Sequence, residues 1–149
     1  EYKNFDLSMF WQGIQGVDVI SDLKKETDLW SGLNIGFLNK GRRVLDAWTP
    51  TNSNSTIPAL TRSDVNNEKR VSTYFVENGS FLKLRNIQLG YNVPQALARK
   101  IKMDHLRLYV SAQNVLTIKS NKFTGVDPEN PNYGYPIPLN LTFGINVGF

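Results

Sequence analysis

Cysteine is absent from the 149 residues, so the fold has no disulfide framework and no thiolate-bound zinc. No apolar run approaches the roughly 20 residues that a membrane helix needs, which excludes a helical membrane protein. A membrane-crossing sheet is not excluded, because its strands are apolar on one side only. Histidine occurs once, at His105 beside Asp104, with no serine or cysteine motif to join it, and reads as a structural residue at a strand edge. Neither a glycine-rich phosphate loop after a strand nor a G-x-S-x-G elbow is present. An enzyme is therefore not expected, and no cofactor is implied. The net charge of +4 is spread over isolated pairs such as Lys24-Lys25, Arg42-Arg43 and Arg99-Lys100. Without a basic stripe or a recognition motif, nucleic acid is not an expected partner. No initiator Met, charged leader or apolar signal core precedes the body of the chain, so its start is expected to lie inside a longer product or at a processed end.

What the sequence does have is alternation. Leu139, Leu141, Phe143, Ile145, Val147 and Phe149 share one face of a strand, and Asn140, Thr142, Gly144, Asn146 and Gly148 share the other. A run of about 9–11 residues is what a tilted transmembrane strand needs. Near the start, Phe5, Leu7, Met9 and Trp11 alternate with Asn4, Asp6, Ser8 and Gln12, with only Phe10 out of step. A third strand has Leu82 and Leu84 in one apolar phase and Ile87, Leu89 and Tyr91 in the other. The slip around Arg85-Asn86 predicts a β-bulge. In the fourth, Leu106, Leu108, Val110, Ala112, Leu116 and Ile118 oppose Arg107, Tyr109, Ser111, Gln113 and Thr117.

These patterns predict strands at about 2–12, 81–91, 106–118 and 139–149. The connections are long at 13–80, short at 92–105 and of middle length at 119–138. Long, short, long is the rhythm of an up-and-down outer-membrane barrel, with large loops outside and tight turns in the periplasm. On that reading the chain descends along its last strand and ends in the periplasm. Tyr2, Phe5, Tyr91 and Phe149 gather at one end, and Phe10 and Trp11 lie at the other, as two aromatic girdles. A soluble β-sandwich gives the same alternation, with the apolar face packed on a core, and remains the alternative on pattern alone.

The long loop has helical periodicity in Leu23, Trp30, Leu33 and Phe37, with Ser21 or Asp22 as cap and Gly41 as terminator. A second short helix is expected from Arg42 to Trp48, and one helical turn after Pro94. Residues 52–56 read as coil. Trp30, Trp48, Tyr133 and Tyr135 lie in the two long loops among Asn, Ser and Thr, a combination suited to a sugar or peptide ligand. Packing within the loops, or against a partner protein, uses the same aromatics. Asp127 and Glu129 are a weak calcium candidate, and a turn built on Asp-Pro and Asn-Pro explains the same residues without metal. Asn54, Asn78 and Asn140 open N-x-S/T triplets, none of which requires glycosylation.

Several segments then resemble a known family. Val44-Leu45-Asp46-Ala47-Trp48-Thr49-Pro50-Thr51-Asn52 is similar to a loop signature of the SusC/RagA-type TonB-linked (TonB-dependent) outer-membrane transporters. So are Phe75-Val76-Glu77-Asn78-Gly79-Ser80-Phe81-Leu82-Lys83-Leu84-Arg85-Asn86-Ile87 and the following Leu89-Gly90-Tyr91. Leu106 to Asn114, then Gly125 and Asp127-Pro128-Glu129, resemble the penultimate strand and its loop, and Tyr135-Pro136-Ile137-Pro138 leads into the terminal strand. The resemblance runs in family order over nearly the whole chain.

It implies an all-β fold with a helical insertion in the long loop, forming the last four strands of a 22-stranded transmembrane β-barrel around an N-terminal plug. It implies uptake of glycan oligomers or peptides across the outer membrane of a Bacteroidetes-type bacterium. The implied partners are a SusD-type surface lipoprotein, the TonB complex acting through a plug outside these residues, the barrel-assembly machinery and outer-membrane lipid. Phe149, with Val147 and Ile145 before it, resembles the barrel-assembly signal. Four strands cannot close a barrel, so the isolated chain is expected to aggregate or rearrange. The competing function is a self-contained secreted sandwich that binds carbohydrate through Trp30, Trp48, Tyr133 and Tyr135.

Overall fold

The computed structural model describes residues 2–29, 39–64, 67–131 and 134–149. The chain divides into two units, residues 1–15 with 81–119 and 137–149, and residues 16–80 with 120–136. In chain order the elements are β1 (Phe5–Ile14), β2 (Asp18–Ile20), α1 (Asp22–Asp28), β3 (Val76–Asn78), β4 (Phe81–Asn92), α2 (Gln95–Lys100), β5 (His105–Lys119) and β6 (Asn140–Gly148).

The first unit is one four-stranded sheet in the order β1-β4-β5-β6, every neighbour antiparallel. Residues directly opposite one another share a face. Leu7, Leu89, Val110 and Phe143 therefore form one apolar row across all four strands. Phe5, Tyr91, Leu108 and Ile145 form the next, and Met9, Ile87, Ala112 and Leu141 lie on the other side of it. Between them run polar rows: Asp6, Gly90, Tyr109 and Gly144; then Ser8, Gln88, Ser111 and Thr142. In a sandwich the apolar face would be the covered one. Here Leu141, Phe143 and Ile145 are 61%, 79% and 68% exposed, so among the described residues no second layer lies over β6 on this face.

The expected slip at Arg85-Asn86 is a bulge. Phe10 pairs with Asn86 and Trp11 with Leu84, which leaves Arg85 as an extra residue on β4. β5 answers with one more. Asn86 pairs with Gln113 but Leu84 with Leu116, so Asn114 and Val115 stand against Arg85 alone. Asn114 takes the left-handed conformation, φ 57°, which asparagine tolerates better than most residues. Its side-chain amide donates to the Pro138 carbonyl at 3.1 Å. Phe10, the residue out of step in β1, falls on the polar face opposite Asn86.

Element limits differ modestly from expectation, each for a local reason. β1 starts at Phe5 because Tyr2 and Phe5 exchange backbone hydrogen bonds of 3.0 Å across a tight turn. α1 ends at Asp28, where Leu29 turns extended. Of the periodic set that predicted a longer helix, Leu23 lies in α1, and Trp30, Leu33 and Phe37 lie outside the described residues. Arg42–Asp46 forms a single 3₁₀ turn and not a helix reaching Trp48, because Ala47 is already extended. The short pair β2–β3 was not expected, since three residues are too few to show a period.

The largest fully buried side chains are in the second unit. Leu29, Phe75 and Phe123 are buried there, with Ala47 and Ile57. The sheet unit buries only Phe81, Leu84 and Ala98 among its apolar residues. A sheet this long with so little core is built to have its faces covered by something else.

Candidate functional site

The polar face of the sheet is organised by two glycines. Asp6, Gly90, Tyr109 and Gly144 lie in one row, so that charged and aromatic side chains alternate with gaps. Both gaps are filled from the side. A Cβ on Gly144 would stand 2.1 Å from Tyr109 Cζ, so the ring lies across the bare backbone of β6. A Cβ on Gly90 would meet Asp6 Oδ1 at 2.5 Å and Arg107 Nη2 at 2.6 Å. That slot is the seat of an ion pair, with Arg107 Nη2 donating to Asp6 Oδ2 at 2.6 Å. Asn92 supports the same carboxylate at 3.4 Å. Arg107 also lies over the Tyr109 ring, 5.7 Å from its centroid. Farther along, Ser111 donates to Asn86 and Arg85 donates to Gln12. This face pairs its own charges, and its chemistry is that of a hydrated wall.

The second unit holds an ionic cluster inside its fold. Asp28 is fully buried and accepts from Tyr74 Oη at 2.7 Å, with Arg43 Nε 3.4 Å from the same carboxylate oxygen. Burial, followed by the hydrogen bond to Asp28, pushes the Tyr74 phenol well above its ordinary range. Lys24 lies 3.5 Å from Glu77 and donates to the Tyr74 carbonyl. Glu77 in turn accepts from Thr124, backbone N–H at 2.9 Å and hydroxyl at 2.8 Å. Buried charges of this kind persist when each is paired, and removing one partner costs more than the pair itself contributes. The cluster fastens α1, the segment before β3 and the 120–136 connection into one body. Glu26 is also buried, and its carboxylate oxygens have no hydrogen-bond partner among the described residues. None of these contacts was visible in the sequence, where Lys24, Lys25, Glu26 and Asp28 look like the solvent side of a helix.

The residues singled out from the sequence are not brought together. Trp48 is half-exposed, its backbone N–H donating to the Ile57 carbonyl at 2.9 Å. Tyr135 is fully exposed. Trp30 and Tyr133 lie outside the described residues. Asp127 Oδ1 accepts the Glu129 N–H at 2.9 Å, and Asp127 bridges to Asn130, which is the geometry of an Asx turn. Among the described residues no group of three or more His, Cys, Asp or Glu could hold a metal ion. On β6, Ile145 pairs with Leu108 and Val147 with Leu106, while Phe149 stands exposed just beyond the last pairs. Phe5 and Tyr91 touch as rings, 4.7 Å between centroids, at the same end of the sheet where Asp104 N–H donates to the Gly148 carbonyl.

No protein-family model matches the sequence. The chain is 34% identical over 164 residues to TonB-dependent receptor P3 of Formosa agariphila, an alignment spanning 99% of this chain and 15% of the relative. It is 33% identical over 87 residues to TonB-dependent receptor SusC of Bacteroides thetaiotaomicron, covering 53% of the chain and 8% of that protein. Among solved structures it superimposes on a chain of the RagAB peptide transporter with TM-score 0.79 and 32% identity, over 100% of this chain and 16% of that one. The chain thus spans about one-sixth of the relatives it matches. TonB-dependent receptors are transporters and not enzymes. Long antiparallel strands, an apolar sheet face exposed among the described residues and a match over 99% of its own length make the chain a member of the TonB-dependent receptors of the SusC/RagA type.

Proposed function

We propose that this segment is barrel wall and loop of an outer-membrane nutrient importer, contributing the last four strands of a 22-stranded barrel. The observation that carries the reading is the apolar face. Leu7, Leu89, Val110 and Phe143, with the rows on either side, form a continuous apolar surface on strands long enough to cross a hydrocarbon layer. The opposite face, with its Asp6–Arg107 pair and its amides, suits a water-filled or plugged interior. In this arrangement residues 16–80 and 120–136 are extracellular, the 92–105 turn is periplasmic, and the chain ends in the periplasm.

The whole importer takes up glycan oligomers or peptides, driven by the TonB complex through its plug and covered by a SusD-type lipoprotein. One solved relative is a peptide transporter, which supports the peptide class; the glycan class rests on the family resemblance alone. Trp48 and Tyr135, exposed in the loop segments, are contacts for the lipoprotein or the cargo. Phe149, with Val147 and Ile145, is the signal for barrel assembly.

Outer-membrane fractionation of the full-length receptor, with and without Phe149, tests the reading. The intact protein should fractionate with the outer membrane and show heat-modifiable mobility, and the truncated one should give a lower assembled yield. Unchanged yield would remove the role of Phe149. A receptor that stays soluble without detergent would overturn the barrel.

A further inference from the structure

We propose that the β4–β5 turn and the apolar hollow beside it bind one anionic glycerophospholipid. The inference rests on the membrane-barrel reading and adds a site to it. The apolar face is not uniform. At the end where the turn leaves the sheet it has a shallow, open hollow of about 260 Å³, lined by Phe5, Leu89, Tyr91, Leu108 and Val110 with Gly90 and Tyr109 between them. Tyr91 lies among its lining residues, paired with Phe5 at 4.7 Å between ring centroids. An aromatic pair with one wet end suits the boundary between acyl chains and headgroups.

The turn begins one residue beyond Tyr91–Asn92 and carries Arg99, Lys100 and Lys102, all exposed. Lys3 joins them at the same end, because Asn92 N–H donates to the Asn4 carbonyl at 2.8 Å. Asp104 is the one acidic residue between Asn92 and His105, so the turn is net positive. Leu97 in α2 and Ile101, the residue that ends it, are 52% and 54% exposed. Two uncovered aliphatic side chains among basic ones is the chemistry of a segment seated at a charged membrane surface. The hollow accepts a section of acyl chain, and the basic side chains take the phosphodiester. The two halves of the site are joined by covalent continuity from Tyr91 to the turn, which places headgroup and chain contacts at adjacent depths. On the orientation proposed above the ligand comes from the periplasmic leaflet, and the occupant is therefore a glycerophospholipid and not lipid A.

Native mass spectrometry of the full-length receptor, exchanged into mixed micelles of phosphatidylglycerol and phosphatidylcholine, tests the site. Wild type should retain phosphatidylglycerol in preference. The triple change Arg99→Gln, Lys100→Gln, Lys102→Gln should lose that preference by about five-fold for each charge removed, from about 1 kcal/mol per Lys or Arg at an anionic surface. Val110→Trp, which fills the hollow and leaves the charges intact, should lower retention of both lipids. Equal phosphatidylglycerol retention by wild type and triple variant would overturn the proposal. A receptor that needs detergent and fractionates with the outer membrane yet shows no preference refutes the site alone. One that is soluble without detergent refutes the barrel reading beneath it.

Discussion

Gly144→Ala adds one methyl group and should destabilise the wall. The new Cβ would stand 2.1 Å from Tyr109 Cζ, 2.3 Å from Oη and 2.4 Å from Cε1, all far inside van der Waals contact. Neither backbone can yield, because Tyr109 and Gly144 are directly paired within β5 and β6. The ring must therefore leave its place, surrendering its packing across β6 and its contact with Arg107. Overpacking of this kind costs about 1–3 kcal/mol. Against it stands the advantage of alanine over glycine in a strand, about 0.5–1 kcal/mol. The clash outweighs that gain over most of the range, and the net loss lies between about 0 and 2.5 kcal/mol, centred near 1. The sign should reverse when the ring is absent. In a Tyr109→Ala background, Gly144→Ala meets no ring and should stabilise by up to about 1 kcal/mol. Equilibrium unfolding of the full-length receptor in lipid or detergent, run as a four-member cycle, reads both numbers. A Gly144→Ala receptor as stable as wild type, with Tyr109 in place, would refute the argument that Gly144 exists to seat the ring.

Phe143→Lys places a charge on the apolar face midway along β6 and should cost about 2–4 kcal/mol in the membrane, seen as a lowered unfolding midpoint, whereas Thr142→Lys on the opposite face should cost far less. Tyr74→Phe removes the donor to buried Asp28 and should cost about 1.5–3 kcal/mol, read as faster proteolysis of the loops of the assembled receptor. Because the folded Tyr74 phenol titrates above its ordinary value of about 10, its stabilising contribution is fully present below that pH and is lost as pH rises beyond it. Loop protection should accordingly fall above pH 10 in wild type, and fall less in Tyr74→Phe. The isolated chain should aggregate in detergent-free buffer, and a monomer that melts cooperatively there would count against the uncovered apolar face.

The four long strands were legible because a period of two is a property of each strand alone, independent of its partner. The bulge on β4 was legible for the same reason: one extra residue, Arg85, moves the apolar phase from Leu84 to Ile87. Its companion on β5 was not. Relative to β1, β5 carries two extra residues, and two restore the alternation, so Ala112, Leu116 and Ile118 look undisturbed. The loop unit was the least legible. Its core is ionic, and a buried Lys24 or Asp28 cannot be told from a solvated one until Glu77, Arg43 and Tyr74 arrive from distant parts of the chain. The seating of Tyr109 over Gly144 was hidden likewise, since only the β5–β6 register brings the two together.

The bulges on adjacent strands fall along one line, from Trp11 through Arg85 to Asn114. Arg85, Asn114 and Val115 assign no residue to a face: cutting all three would leave Leu84 and Leu116 facing as they do now. Their purpose is then separate from the inside–outside pattern. Extra residues on one side of a line lengthen one half of a strand against its neighbour and force local bending and added twist. The sheet therefore has its curvature written into residue count, at a fixed height, before any further strand joins it. A wall pre-bent along such a seam meets the next strand at a set angle, and the circumference it can belong to is correspondingly narrowed.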